Sequence, residues 1–159
     1  MNIFEKRIRH EFKIACKNNK KDDKIFVLYP DENDLHIWYA LFFKLDKPFD
    51  NGEYIIQFNL PEEYPMKSPV VKFLTPNGRY QENVNVCIYG ITHYHEEANN
   101  AATDICSMVN GVISTLYSFE AGIGSINTGE ETKKIFANTS IVYNDVHNKK
   151  IYSLLNKFR

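Results

Sequence analysis

"PEEYPMKSPVVKFLTPNGRYQENVNVCIYG", residues 61–90, changes character twice. It opens on Pro61, Pro65 and Pro69, residues that fix φ and mark turns. "VVKFL" is then β-branched and aromatic, the composition of a strand. Thr75-Pro76-Asn77-Gly78 is a turn, and after it the regular period disappears as far as about residue 102. Loops of that length are uncommon in a compact domain and are usually functional. Cys87 lies inside this one, ten positions after Asn77. Asn83, Asn85 and Tyr89, with Asn77 upstream, are the polar surroundings of a reactive thiol. Val84, Val86 and Ile88 alternate around Cys87 as a buried strand would. Local sequence leaves two readings open, a nucleophile and a small apolar core residue.

Upstream, "IFVLYP", "HIWYALFFKL" and "EYIIQFNL" have the same strand composition, and "DEND", "DKPFDNG" and "PEEYPMKSP" carry turn residues. Short connections between four successive strands predict an antiparallel meander. Before them, Phe4, Ile8, Phe12 and Ala15 fall on one helical face, ringed by Lys6, Arg7, Arg9, Lys13 and Lys17, which predicts an amphipathic first helix. Downstream, Ile105, Met108, Val109, Val112, Ile113 and Leu116 recur at helical spacing, with Thr103 or Asp104 as the cap. Thr128 and Glu131 have the spacing of a capping box and open a helix to about Tyr143. Ile151, Leu154, Leu155 and Phe158 mark a last short helix. This order predicts an α+β fold, helices packed on a small sheet, as a single domain over residues 1–159.

The totals exclude several classes. A chain of 159 residues, 43% hydrophobic, 14% aromatic and 25% charged, is no disordered tail. At this length about 70% of the unfolded surface is buried on folding. A net charge of −1 offers no basic field for nucleic acid or an anionic membrane. Cys16, Cys87 and Cys106 are odd in number and widely spaced, so neither a disulfide framework nor a metal site is expected, and a reducing compartment fits. The N-terminus alternates charge with apolar side chains, unlike a signal peptide. No run of about 20 apolar residues marks a membrane span.

Taken in order, these words resemble the ubiquitin-conjugating enzyme family over nearly the whole chain. "LPEEYPMKSPVVKFLTP" is similar to its Pro-x-x-Tyr-Pro-Phe-x-Pro-Pro-x-hydrophobic-x-Phe signature, with Met66 for Phe and Ser68 for the first Pro of the pair. "LHIW" followed by "KPFDNGEY" resembles the Trp-bearing strand and the Pro-Tyr-x-Gly-Gly turn. Most of the family has His-Pro-Asn ahead of its cysteine. Thr75-Pro76-Asn77-Gly78-Arg79 and the later "GSINTGEETKKIFANTSIVYN" look instead like the branch of tail-anchored conjugating enzymes of the endoplasmic reticulum. "CIYGITHYHEE" is similar to that branch's Cys-Leu-Ser…Tyr-His-Pro-Glu. The Trp expected after His95 is absent, with Asn99 near its place, and so is the Pro expected near Ala101. The chain stops at Arg159, where the branch continues into a membrane anchor, so a soluble, cytoplasmic protein without a membrane partner is expected.

The resemblance implies a ubiquitin-conjugating fold and a thioester of ubiquitin on Cys87. A free thiol is only a few per cent thiolate at neutral pH, which suffices against an activated carbonyl. It implies ubiquitin, its activating enzyme, a ligase (RING type) and protein substrates as partners, and no cofactor. Asn77 is the family's candidate donor to the oxyanion of the transfer step, or holds the turn, or does both. Glu120 or Ser118 is placed to orient the attacking group. Thr75 reads as a structural turn residue, and replacing it with the family's usual His is expected to change the loading and discharge rates little. Arg7, Met66 and Ala101 match ligase-contact positions. His93 and His95 read as polar loop residues, Tyr64 and Trp38 as core, and Cys16 and Cys106 as structural or idle. Three other readings remain: a non-catalytic ubiquitin-binding scaffold, a cysteine hydrolase, and transfer of a different ubiquitin-like modifier.

Overall fold

The structure is a computed structural model of residues Met1–Arg159. Helix α1 (Ile3–Asn19) leads into β1 (Phe26–Pro30), β2 (Ile37–Phe42), β3 (Tyr54–Asn59) and β4 (Val70–Phe73), an antiparallel sheet in the order β1-β2-β3-β4. This is the meander that the short turns predict. A kinked 3₁₀ segment, His93–Ala98, interrupts the long loop, and α2 (Ile105–Thr115), α3 (Glu130–His147) and α4 (Lys149–Asn156) follow.

Side chains alternate across the sheet, as the pleat requires. Phe26, Leu28, Trp38, Ala40, Phe42, Tyr54, Ile56, Phe58, Val71 and Phe73 join the main core with Ile8 and Ala15 of α1 and Ile105, Val109 and Val112 of α2. Val27, Tyr39, Leu41, Phe43, Ile55 and Leu74 point the other way and meet Tyr152 and Leu155 of α4. The sheet is therefore buried on both faces, which explains why its strands read as near-continuous apolar runs.

Both sheet edges are engaged. On β1, the Asn19 side chain accepts from Leu28 N (3.0 Å) and donates to Leu28 O (2.9 Å), and Asn18 donates to Phe26 O (3.0 Å). On β4, Val71 O accepts from Val86 N (2.9 Å) and Phe73 O from Asn83 N (2.7 Å).

Three details differ from the sequence reading. The inward line of α1 is Ile8, Glu11 and Ala15, while Phe12 is exposed and packs edge-on against Tyr29. Glu11 is buried because its carboxylate accepts from Arg7 Nε (2.8 Å), Tyr64 OH (2.6 Å) and Ile105 N (2.9 Å), the condition for holding a charge in a core. Thr128 does not cap α3: Gly129 is the N-cap, and the Thr128 hydroxyl donates to Gly78 O at 2.5 Å. α3 also runs on to His147; of the two cap candidates for α2, it is Asp104 that accepts from Ser107 N, as one of the readings expects.

Candidate active site

Residues 79–87 run between β4 and residues 122–126. Besides the two bonds to β4, Gln81 N donates to Gly124 O (2.8 Å), Cys87 N to Ile123 O (2.8 Å) and Ile126 N to Arg79 O (3.0 Å). Val86 and Ile88 are buried, and Cys87 between them is half-exposed on a cleft of about 180 Å³. The strand-like alternation is real, and it turns the thiol outward. At Gly122 a Cβ would stand 3.3 Å from Cys87 O, so the facing loop passes close to the Cys87 backbone and a side chain there would crowd it.

Arg79, Tyr80, Tyr89, His95, Ser118 and Glu120 help line the cleft. His95 stands on the 3₁₀ segment of the long loop. Its Nδ1 lies 3.1 Å from Glu97 Oε1, and its ring is 5.4 Å from that of Tyr89. Glu97's own backbone N–H, and then His95, hold the Glu97 carboxyl below its ordinary value. The signal for His95 was its position in "CIYGITHYHEE", but no fixed spacing relates it to the cysteine.

Asn77 is buried, and it is not among the residues of this cleft. Its Nδ2 donates to Thr75 O (3.0 Å), and its Oδ1 accepts from Arg79 N (2.9 Å) and Tyr80 N (2.8 Å). Gly78 completes the turn at φ +83°, where a Cβ would also stand 2.9 Å from Thr128 Oγ1. Thr75 is fully buried: its hydroxyl accepts from Ile55 N (3.0 Å) and donates to Asn144 Oδ1 (2.7 Å). It is a joint between β3 and α3, in keeping with a structural role, and its burial bears on how much stability a larger side chain would cost there.

Met66 is 65% exposed at the tip of its turn. Asn99, near the place of the missing Trp, holds that turn by donating to Pro65 O (3.1 Å) and Met66 O (2.9 Å). Ser68 Oγ donates to Asn99 Oδ1 at 2.9 Å. Arg7 is no freely solvated side chain. It donates to Glu11, to Ala101 O and to Thr103 O (2.8 Å), and it lies over the Tyr64 ring. Arg7 and Ala101 therefore form one unit, with Met66 on a separate turn. Cys106 is buried, and burial, then the Asp104 and Glu11 carboxylates, push its thiol up to about 12. No cluster of His, Cys, Asp or Glu is placed to hold a metal, and no helix is long and apolar enough to cross a membrane.

The profile of the family described as ubiquitin-conjugating enzyme matches residues 7–121, a span that includes Cys87 and the whole cleft wall to Ala121. The chain belongs to the ubiquitin-conjugating enzyme family. It is 32% identical over 141 residues to ubiquitin-conjugating enzyme E2 6 of Candida glabrata, covering 88% of this chain and 56% of that protein. It is likewise 32% identical over 144 residues to ubiquitin-conjugating enzyme E2 6 of Saccharomyces cerevisiae, covering 90% and 56%. The chain thus spans little more than half the length of the curated relatives it matches. A solved ubiquitin-conjugating enzyme E2 from Plasmodium falciparum shares the fold at TM-score 0.59 and 24% identity, over 72% of this chain and 99% of that one. The family assignment does not favour the scaffold and hydrolase readings.

Proposed function

We propose that this chain takes ubiquitin from its activating enzyme as a thioester on Cys87 and passes it to an amine or hydroxyl of a protein substrate or ligase. The observation that carries the reading is the placement of Cys87: half-exposed on a cleft, with its backbone N–H fixed by Ile123 O. In the first step the Cys87 sulfur attacks the donor carbonyl and the activating enzyme's thiol leaves. In the second the acceptor attacks, the Cys87 thiolate leaves, and the acceptor's proton goes to a base.

His95 suits that base. In the tautomer that donates Nδ1–H to Glu97, its Nε2 lone pair is free to accept a proton. Glu120 suits orientation of the acceptor better than Ser118, because the Ser118 hydroxyl already donates to Thr115 O at 3.0 Å while the Glu120 side chain is exposed on the cleft wall. Asn77 has two amide N–H bonds and spends one on Thr75 O, which leaves the other as the candidate oxyanion donor beside its turn-holding role. A RING ligase would meet the exposed Met66 turn and the Arg7–Ala101 unit. Three free cysteines and a thiol nucleophile suit a reducing, cytoplasmic setting for this catalytic core.

The test is incubation with activating enzyme, ATP and ubiquitin, followed by a non-reducing gel. Cys87→Ala should give no reductant-sensitive adduct, and Cys87→Ser a slower, reductant-resistant oxyester. An adduct that survives Cys87→Ala and disappears in Cys16→Ser overturns the assignment.

A further inference from the structure

Arg79 is an arginine with only 6% of its surface exposed and no carboxylate partner. Such a cation needs other oxygen acceptors, and they come from one loop. Arg79 Nη2 donates to Glu120 O (2.7 Å) and, at longer range, to Ser118 Oγ (3.4 Å), while Nε donates to Ser118 O (3.2 Å).

The guanidinium is held from behind. Its carbon lies 4.4 Å from the centre of the Tyr80 ring, and that ring stacks on Phe73 of β4 at 5.0 Å. The Tyr80 hydroxyl donates to Thr115 Oγ1 (2.7 Å) at the end of α2. The backbone beneath it is fixed too, because Arg79 N donates to Asn77 Oδ1 (2.9 Å) and Arg79 O accepts from Ile126 N (3.0 Å). Base and head of this side chain are therefore tied to the sheet, the Asn77 turn and α2.

The loop that it holds has little else. Ser118 is bonded to the last turn of α2, and Gly122 and Ile123 are bonded to Ser125 and Cys87. Over residues 119–121 the single hydrogen bond is the one from Arg79 to Glu120 O. Phe119, between the two carbonyls drawn inward, is 98% exposed, so no apolar packing anchors the segment either.

We infer that Arg79 is a positioning residue for the transfer step: its planar fork holds residues 118–121 as a fixed wall of the Cys87 cleft, and with them the backbone that carries Glu120. The inference rests on the reading that Cys87 carries the thioester. Loading depends on an accessible thiol, whose backbone is fixed separately by Ile123 O. Transfer depends on orienting an incoming acceptor at the wall, and misplacement on the ångström scale is costly there. Lysine keeps the charge but has no fork to span two carbonyls or plane to stack on Tyr80.

The experiment compares the unsubstituted chain, Arg79→Lys and Arg79→Gln. It reads loading rate, single-turnover discharge of preloaded protein to free lysine, melting temperature, and amide hydrogen exchange over residues 117–123. For Arg79→Gln, discharge should fall about tenfold or more while loading stays within about twofold, the split expected of a misplaced wall rather than a damaged nucleophile. Exchange at residues 119–122 should speed up, and Arg79→Lys should recover little of either effect. Full recovery in Arg79→Lys would assign the effect to charge and overturn the clamp. So would discharge that stays normal while exchange rises, or loading and discharge falling equally with a lower melting temperature. If Arg79→Gln does not fold, Arg79→Lys alone decides, on the same split. The two readings fail separately: an unsubstituted chain that forms no adduct sinks the thioester reading, and the exchange comparison still tests the clamp.

Discussion

The backbone N–H of Ser68 lies 3.1 Å from both carboxylate oxygens of Glu96. A proline at position 68 has no such N–H to give. The serine at the first place of the family's Pro-Pro pair thus comes with an acidic partner, and its hydroxyl reaches Asn99. One short segment carries both Glu96 and His95, so it ties the Met66 turn to the Cys87 cleft.

Ser68→Pro should therefore lower stability by about 1.5–3 kcal/mol, the usual range for losing a hydrogen bond to a charged group. Ser68→Ala keeps the N–H, loses only the hydroxyl bond, and should cost less. Urea denaturation of the two variants checks this. Equal losses would show that the N–H to carboxylate contact contributes nothing.

Asn77→Ala removes three hydrogen bonds from a buried turn. A stability loss of about 1–3 kcal/mol is expected. If the second amide N–H also serves the oxyanion, discharge to free lysine should fall by about 10²–10³-fold beyond any effect on loading. Normal discharge beside a lowered melting temperature would leave Asn77 a turn residue only.

Thr75→Val keeps the shape and removes both bonds of the hydroxyl, to Ile55 N and Asn144. It should cost about 1–3 kcal/mol. Thr75→His puts a larger imidazole into a fully buried site, and overpacking of this kind costs a further 1–3 kcal/mol or so. A histidine variant that melts at or above the parent temperature would contradict this placement.

The three thiols should separate by alkylation. Burial raises the Cys106 thiol far above the ordinary range, so at mildly alkaline pH it stays neutral where an ordinary thiol is partly thiolate. Iodoacetamide should label Cys87 and Cys16 in the folded chain and spare Cys106 until denaturant is added. Mass spectrometry of peptides reads the outcome, and early labelling of Cys106 would refute its burial.

The elements were legible because period is a local property. Strand text such as "YIIQF" and the Ile105–Val109–Val112 repeat each settle on one structure regardless of what packs on them. What stayed hidden depends on partners far along the chain. Nothing near Glu11 in the sequence announces Tyr64 or Ile105, the partners that let its carboxylate be buried. Thr128 had good capping spacing, but its hydroxyl found Gly78 O fifty residues away. At the site, Cys87 was visible through its loop and its resemblance to a family. The occupied guanidinium of Arg7, the His95–Glu97 contact and the Arg79 clamp all require knowing which backbone carbonyls and side chains converge in space.

The sheet has α1 and α2 on one side, α4 on the other, Asn18 and Asn19 along β1 and residues 83–86 along β4. A visiting chain therefore finds no unpaired strand to extend and no bare pleat to cover, which guards against edge-to-edge association. Recognition by this protein must be a matter of rims and corners. Met66, His95, Cys87 and Phe119 belong to loops that leave the sheet, so contacts made at them would not need to displace the slab beneath.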